Sequence, residues 1–126
     1  MDKPFREINR VLKPNGTFIF STNNQISKAG KTKKINGKKY RVLGIKDYFN
    51  MNKSKVLYTT KDGKKVPIFN YIIKPKQVIQ TAQRNGFEVI DYEDAKSIPQ
   101  AKRLDAKEYG LYSKVPLFAI WKLRKK

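Results

Sequence analysis

Ser21, Thr22, Asn23 and Asn24 place a row of short polar side chains directly after the apolar run at residues 17–20. Groups at the carboxyl end of a buried strand are where open α/β sheets meet their ligands. Asn23 is read here as a substrate contact, whereas loop solvation and turn capping account better for Thr22 and Asn24. Tyr58, Phe69 and Tyr71 form a second constellation. Aromatic walls around a few polar groups hold small acceptors, and cross-strand packing in a hairpin explains the same residues. A third is basic, with Lys31, Lys33, Lys34, Lys38, Lys39 and Arg41 in one short stretch. Such a run grips phosphate or solvates a loop. The carboxylates Asp47, Asp62, Asp91, Glu93, Asp94, Asp105 and Glu108 follow neither metal-ligand nor acid/base spacing, so no metal site and no general base is assigned. The chain has no His and no Cys, which removes thiolate nucleophiles, Cys/His zinc sites and the imidazole of hydrolytic triads. No catalytic residue is assigned.

The whole chain has 126 residues, of which 39% are hydrophobic, and this suits one small domain. Lys plus Arg number 29 against 10 Asp plus Glu, for a net charge of +19 that favours anionic partners. The apolar runs at 18–20 and 116–121 fall far short of the roughly 20 residues a membrane helix needs. Residues 1–13 carry charges throughout, so the chain is expected to be cytoplasmic.

The elements that must position these groups follow from spacing. Phe5, Ile8 and Leu12 stand three and four apart, which predicts a short helix with Pro4 in its first turn. Glu7 and Arg10 are expected to pair on it. Lys13-Pro14-Asn15-Gly16 then ends the helix. Residues 17–21 form an unbroken β-forming run without alternation, the pattern of a strand buried on both faces. Residues 23–41 read as a mobile basic loop and 43–50 as a short helix. Residues 55–60 and 66–72, joined through Asp62-Gly63, read as a β-hairpin. Pro75 opens a helix in which Val78, Ile79 and Ala82 share a face, and Asn85-Gly86 closes it. Strands are expected at 87–92 and 115–123, with a short helix near 106–109 between them.

In this order, Arg10-Val11-Leu12-Lys13-Pro14-Asn15-Gly16, the strand after it and the later Asn85-Gly86-Phe87 resemble the C-terminal half of a Rossmann-like S-adenosylmethionine-dependent methyltransferase. The usual first glycine of the turn is Asn15 here, a residue that also tolerates left-handed geometry. The resemblance implies an α/β fold: an incomplete methyltransferase sheet, mixed, of fifth, seventh and sixth strands, with flanking helices. It implies a single partial domain over residues 1–126, in which residues 23–72 are an inserted loop and hairpin that cap the substrate. It further implies S-adenosylmethionine as cofactor of the complete domain and in-line methyl transfer to an acceptor. No G-x-G turn occurs in these residues, so no cofactor-binding residue is assigned and the half alone is expected to be inactive. Its expected partners are the methyl acceptor and a missing N-terminal half, or a second copy pairing through the exposed fifth strand. A small basic α/β module that binds nucleic acid through the lysines named above is the alternative.

Overall fold

The computed structural model describes residues 1–24, 30–43, 49 and 53–126. In chain order these form α1 (Asp2–Val11), β1 (Thr17–Asn23), β2 (Gly30–Ile35), β3 (Lys38–Leu43), β4 (Lys53–Thr59), β5 (Lys65–Tyr71), α2 (Pro75–Arg84), β6 (Phe87–Asp94), a 3-10 helix (Pro99–Arg103), α3 (Ala106–Tyr112) and β7 (Phe118–Lys125). The helix expected at 43–50 falls outside the described residues, apart from Leu43, which ends β3, and Phe49.

The main sheet has the order β1-β7-β6, with β7 antiparallel to both neighbours. β1 and β6 therefore run in the same direction, and the last strand in the chain lies in the middle. α1 and α2 bury their apolar sides on one face of this sheet. The core there comprises Phe5, Ala82, Phe87 and Leu123, packed by Ile8, Leu12, Phe18, Phe20 and Val89. Phe5 meets Phe18, Phe20 and Phe87 edge to face, with ring centroids 6.0, 5.5 and 6.2 Å apart. Offset and edge contacts of this kind are the favoured geometries for aromatic rings.

The opposite face is open, which corrects the expectation of a strand buried on both sides. Ile19 remains 60% exposed, opposite Lys122 on β7. The unbroken apolar run hid an alternation, because Phe18 and Phe20 turn inward while Thr17, Ile19 and Ser21 turn outward. On that open face Arg124 donates to Glu88 at 2.6 Å across the β6–β7 pair.

The turns follow from local chemistry. Asn15 adopts φ 61°, and a Cβ on Gly16 would stand 2.8 Å from the Lys13 carbonyl oxygen, so this turn needs both residues. Lys125 clasps the end of α1, its ammonium donating to the carbonyls of Asn9 and Leu12 at 2.6 and 2.8 Å. Carbonyls left over at a helix end are satisfied in this way. Arg10 donates to Glu7 at 2.9 Å, as its spacing predicts. α1 and α2 are tied together by Asp2, which accepts from Asn85 at 2.9 Å and Arg84 at 3.1 Å. These bonds, the Asn85 amide foremost, hold the Asp2 carboxyl below its ordinary range. In α2, Val78, Thr81 and Ala82 are buried, whereas Ile79 faces outward. Thr81 thus takes the place expected of Ile79.

The basic segment differs from the expected loop. β2 and β3 form a second hairpin through Asn36-Gly37, at φ 49° and 78°. Two left-handed residues in succession match the twist of a two-residue hairpin turn. β4 and β5 form the expected hairpin, with Gly63 at φ 83° in its turn.

Candidate functional site

β1 delivers its polar row to one end of the sheet. The indole N–H of Trp121 donates to the Thr22 hydroxyl at 3.1 Å. Asn24 is buried, and its backbone N–H donates to the Leu117 carbonyl at 2.9 Å. Its side-chain amide donates to Asp94 at 2.7 Å, and the same carboxylate oxygen accepts from the Tyr92 hydroxyl at 2.6 Å. The ends of β1 and β6 are thereby joined across β7. Thr22 and Asn24 serve the architecture, Thr22 within β1 and Asn24 buried beside it, in place of the loop solvation and turn capping expected of them.

Asn23 makes no side-chain hydrogen bond among the described residues. Together with Ser21, Tyr71, Ile73 and Phe118 it lines an open cavity of about 370 Å³. A smaller cavity of about 110 Å³ beside it includes Thr22, Asn24, Tyr92, Asp94 and Trp121. The two share Thr22, Asn23 and Ile73, so the end of β1 forms the wall between a smaller and a wider cavity, both of mixed lining.

Of the aromatic trio, the structure brings only Tyr71 to this site. The β4–β5 register pairs Lys53 with Tyr71 and Lys55 with Phe69, but Tyr58 with Val66. Strand alternation then sets Tyr58 on the opposite face from Phe69 and Tyr71. One pocket wall cannot contain all three. Lys53 holds its ammonium 5.3 Å from the centre of the Tyr71 ring, within cation–π range.

The basic residues are also divided. The β2–β3 register pairs Lys33 with Tyr40, Ile35 with Lys38 and Lys31 with Val42, while Lys34 pairs with Lys39 and Thr32 with Arg41. Lys33 and Lys38 therefore occupy one face of the hairpin and Lys34 and Lys39 the other, while the side chains of Lys31 and Arg41 fall outside the described ones. The Lys39 ammonium is in an ion pair with Glu108. Among the described residues no group of His, Cys, Asp or Glu could hold a metal ion.

Sequence reasoning missed Tyr92, Asp94 and Trp121. The available signal was strand direction: β1 and β6 run the same way on either side of β7, so Asn24 and Asp94 must finish at the same end. The phenol of Tyr92 is pushed up to about 12 from 10.0, first by desolvation and then by its bond to Asp94. In the unfolded chain this phenol ionises near 10.0, while the folded one keeps its proton to about 12. Its contribution to stability is therefore complete below pH 10 and is lost as the pH rises from there toward 12. A difference titration of tyrosinate absorbance between the wild type and Tyr92→Phe should show the late-ionising phenol. Asp94→Asn should move it part of the way back toward 10. A Tyr92 that ionises near 10.0 would remove this account of the cluster.

No protein-family model and no curated protein sequence matches the chain. Solved structures do. A Listeria monocytogenes protein assigned to the S-adenosylmethionine-dependent methyltransferases superposes with a TM-score of 0.75 at 19% identity, over 100% of this chain and 55% of its own. An S-adenosylmethionine-dependent methyltransferase from Mesorhizobium loti gives 0.70 at 17%, over 98% and 55%. The glycopeptide N-methyltransferase MtfA, solved with S-adenosylmethionine, gives 0.53 at 14%, over 99% and 50%. The chain spans about half the length of each of these structures. Its strand order and these superpositions agree, and it has the fold of the C-terminal half of a Rossmann-like S-adenosylmethionine-dependent methyltransferase domain.

Proposed function

We propose that the chain is the acceptor-side half of an S-adenosylmethionine-dependent methyltransferase and that residues 23–72 cap the acceptor. On this reading the cofactor-cradling half is supplied by residues outside these 126. The observation that carries the reading is the β1-β7-β6 order, with an unspent polar side chain, Asn23, facing an open cavity at the end of β1. S-adenosylmethionine, when bound, supplies an electrophilic sulfonium methyl. This chain's residues do not make a full cradle for it: they contain no G-x-G turn, and Thr22 and Asn24 are already engaged in tying strands. What they can do is orient an acceptor, with Tyr71 and Phe118 as apolar walls and Ser21 and Asn23 as polar contacts. Positioning of this kind is most of what methyl transfer asks of a protein, and it suits a chain without His or Cys. The free edge of β1 among the described residues gives the other half a strand to join.

The test is to titrate S-adenosylmethionine by calorimetry into the folded chain alone, and into the chain co-expressed with the coding segment upstream of its own. We expect no saturable binding alone, and saturable, salt-insensitive binding once a stable complex forms. Asn23→Ala in that complex should lower methyl transfer at least about tenfold with cofactor affinity unchanged. A stable complex that binds no S-adenosylmethionine sinks the proposal, as does a chain that pairs only with copies of itself.

A further inference from the structure

Away from the end of β1, the β2–β3 hairpin and α3 enclose a cleft of about 490 Å³. It is lined by apolar Leu111 and Val115 and by Lys34, Lys38, Lys107 and Lys114. It shares no residue with either cavity at the end of β1. The volume suits a small molecule. None of these four lysines is in an ion pair among the described residues. The nearby carboxylates are already engaged: Glu108 pairs with Lys39, whose ammonium it holds above its ordinary range, and Asp105 accepts from the backbone N–H groups of Lys107 and Glu108. Like charges gathered at one opening repel, and a bound anion relieves that repulsion.

Gly110 is the second, independent observation. It stands inside α3, without a left-handed φ, and a Cβ built on it would meet nothing within 4 Å. Glycine inside a helix is about 1 kcal/mol less favourable than alanine. Here neither backbone conformation nor packing among the described residues requires it. Gly110 lines the cleft, and its missing side chain keeps that space open.

We propose that this cleft binds a small organic phosphate, its apolar body against Leu111 and Val115 and its phosphate among Lys34, Lys107 and Lys114. The cleft shares no lining residue with the cavities at the end of β1, and its test reads binding directly. The probe is 2-naphthyl phosphate, with 2-naphthol and inorganic phosphate as controls, titrated into the full chain by calorimetry and mapped by amide chemical shifts. Binding should be saturable and at least about tenfold tighter than for either control, with shifts centred on Gly37, Gly110 and Leu111. Gly110→Leu, which fills the space while favouring the helix, should abolish it. The combined variant K34Q/K107Q/K114Q should weaken it at least about tenfold, and decides the matter if Gly110→Leu fails to fold. Equal affinity for inorganic phosphate, or binding unchanged by Gly110→Leu, overturns the proposal. Oligothymidylate bound equally by the wild type and Gly110→Leu, with shifts scattered over surface lysines, also overturns it and assigns the charge to nucleic acid.

Discussion

Replacing Phe87 with alanine should cost about 3–5 kcal/mol and leave the chain largely unfolded at physiological temperature. Phe87 is fully buried and sits between Phe5, 6.2 Å away edge to face, and Phe18, 6.2 Å away at a tilt. Its loss removes the ring on which α1 and β6 both close. Small domains hold only about 5–15 kcal/mol in total, and this sheet is covered on one face. Urea unfolding should show the midpoint collapse for Phe87→Ala and a far smaller shift, about 1.5 kcal/mol or less, for Phe87→Leu. Ile19→Ala on the open face should stay within about 0.5 kcal/mol. Equal losses at Phe87 and Ile19 would mean that the open face is covered in solution.

Gly86→Val should be the second most damaging single change described here, at about 3 kcal/mol. Gly86 has φ +78°, a conformation in which a β-branched residue is strained. A Cβ there would stand 3.0 Å from the Asn9 amide nitrogen, which donates to the Asn85 carbonyl at 2.8 Å and the Gly86 carbonyl at 3.3 Å. Strain and the lost bonds act together, because moving Asn9 aside breaks the link between α1 and the end of α2. Gly86→Asn, which tolerates the left-handed region, should lose about half as much. Thermal unfolding of the two variants separates conformation from contact. Equal Tm values for Gly86→Val and the wild type would refute the geometry of this turn.

Both changes fall on features legible in the sequence. Asn85-Gly86-Phe87 announces a helix end followed by a strand, and Lys13-Pro14-Asn15-Gly16 announces the turn into β1, because few residues satisfy such backbone angles. The β4–β5 hairpin was readable from Asp62-Gly63 for the same reason. The β2–β3 hairpin carried an equally good signal in Asn36-Gly37, but the lysines around it pointed to a solvated loop. Charge describes what a segment's side chains prefer, and the turn describes what its backbone can do. Burial was less legible than direction. Phe18, Ile19 and Phe20 are all apolar, so nothing in their order revealed that Ile19 would face outward. At the candidate site, the position of Asn23 at the carboxyl end of the first strand was readable, whereas the meeting of Tyr92, Asp94 and Trp121 was not. Their meeting depends on which strand lies between which, and residue spacing along the chain does not encode that.

That strand order governs how the sheet can be assembled. Among the described residues β7 is the strand that pairs with both β1 and β6, and it follows both in the chain; Thr22 and Trp121, bonded across one of these pairings, are 99 residues apart. During synthesis the two hairpins can close as soon as each is made, since their pairings are local. The sheet cannot, because β1 and β6 have no ladder partner among the described residues until β7 emerges. A chain interrupted anywhere before Phe118 therefore loses both pairings of the sheet at once, so a nascent or clipped form would keep its hairpins while the floor of the candidate site had yet to exist.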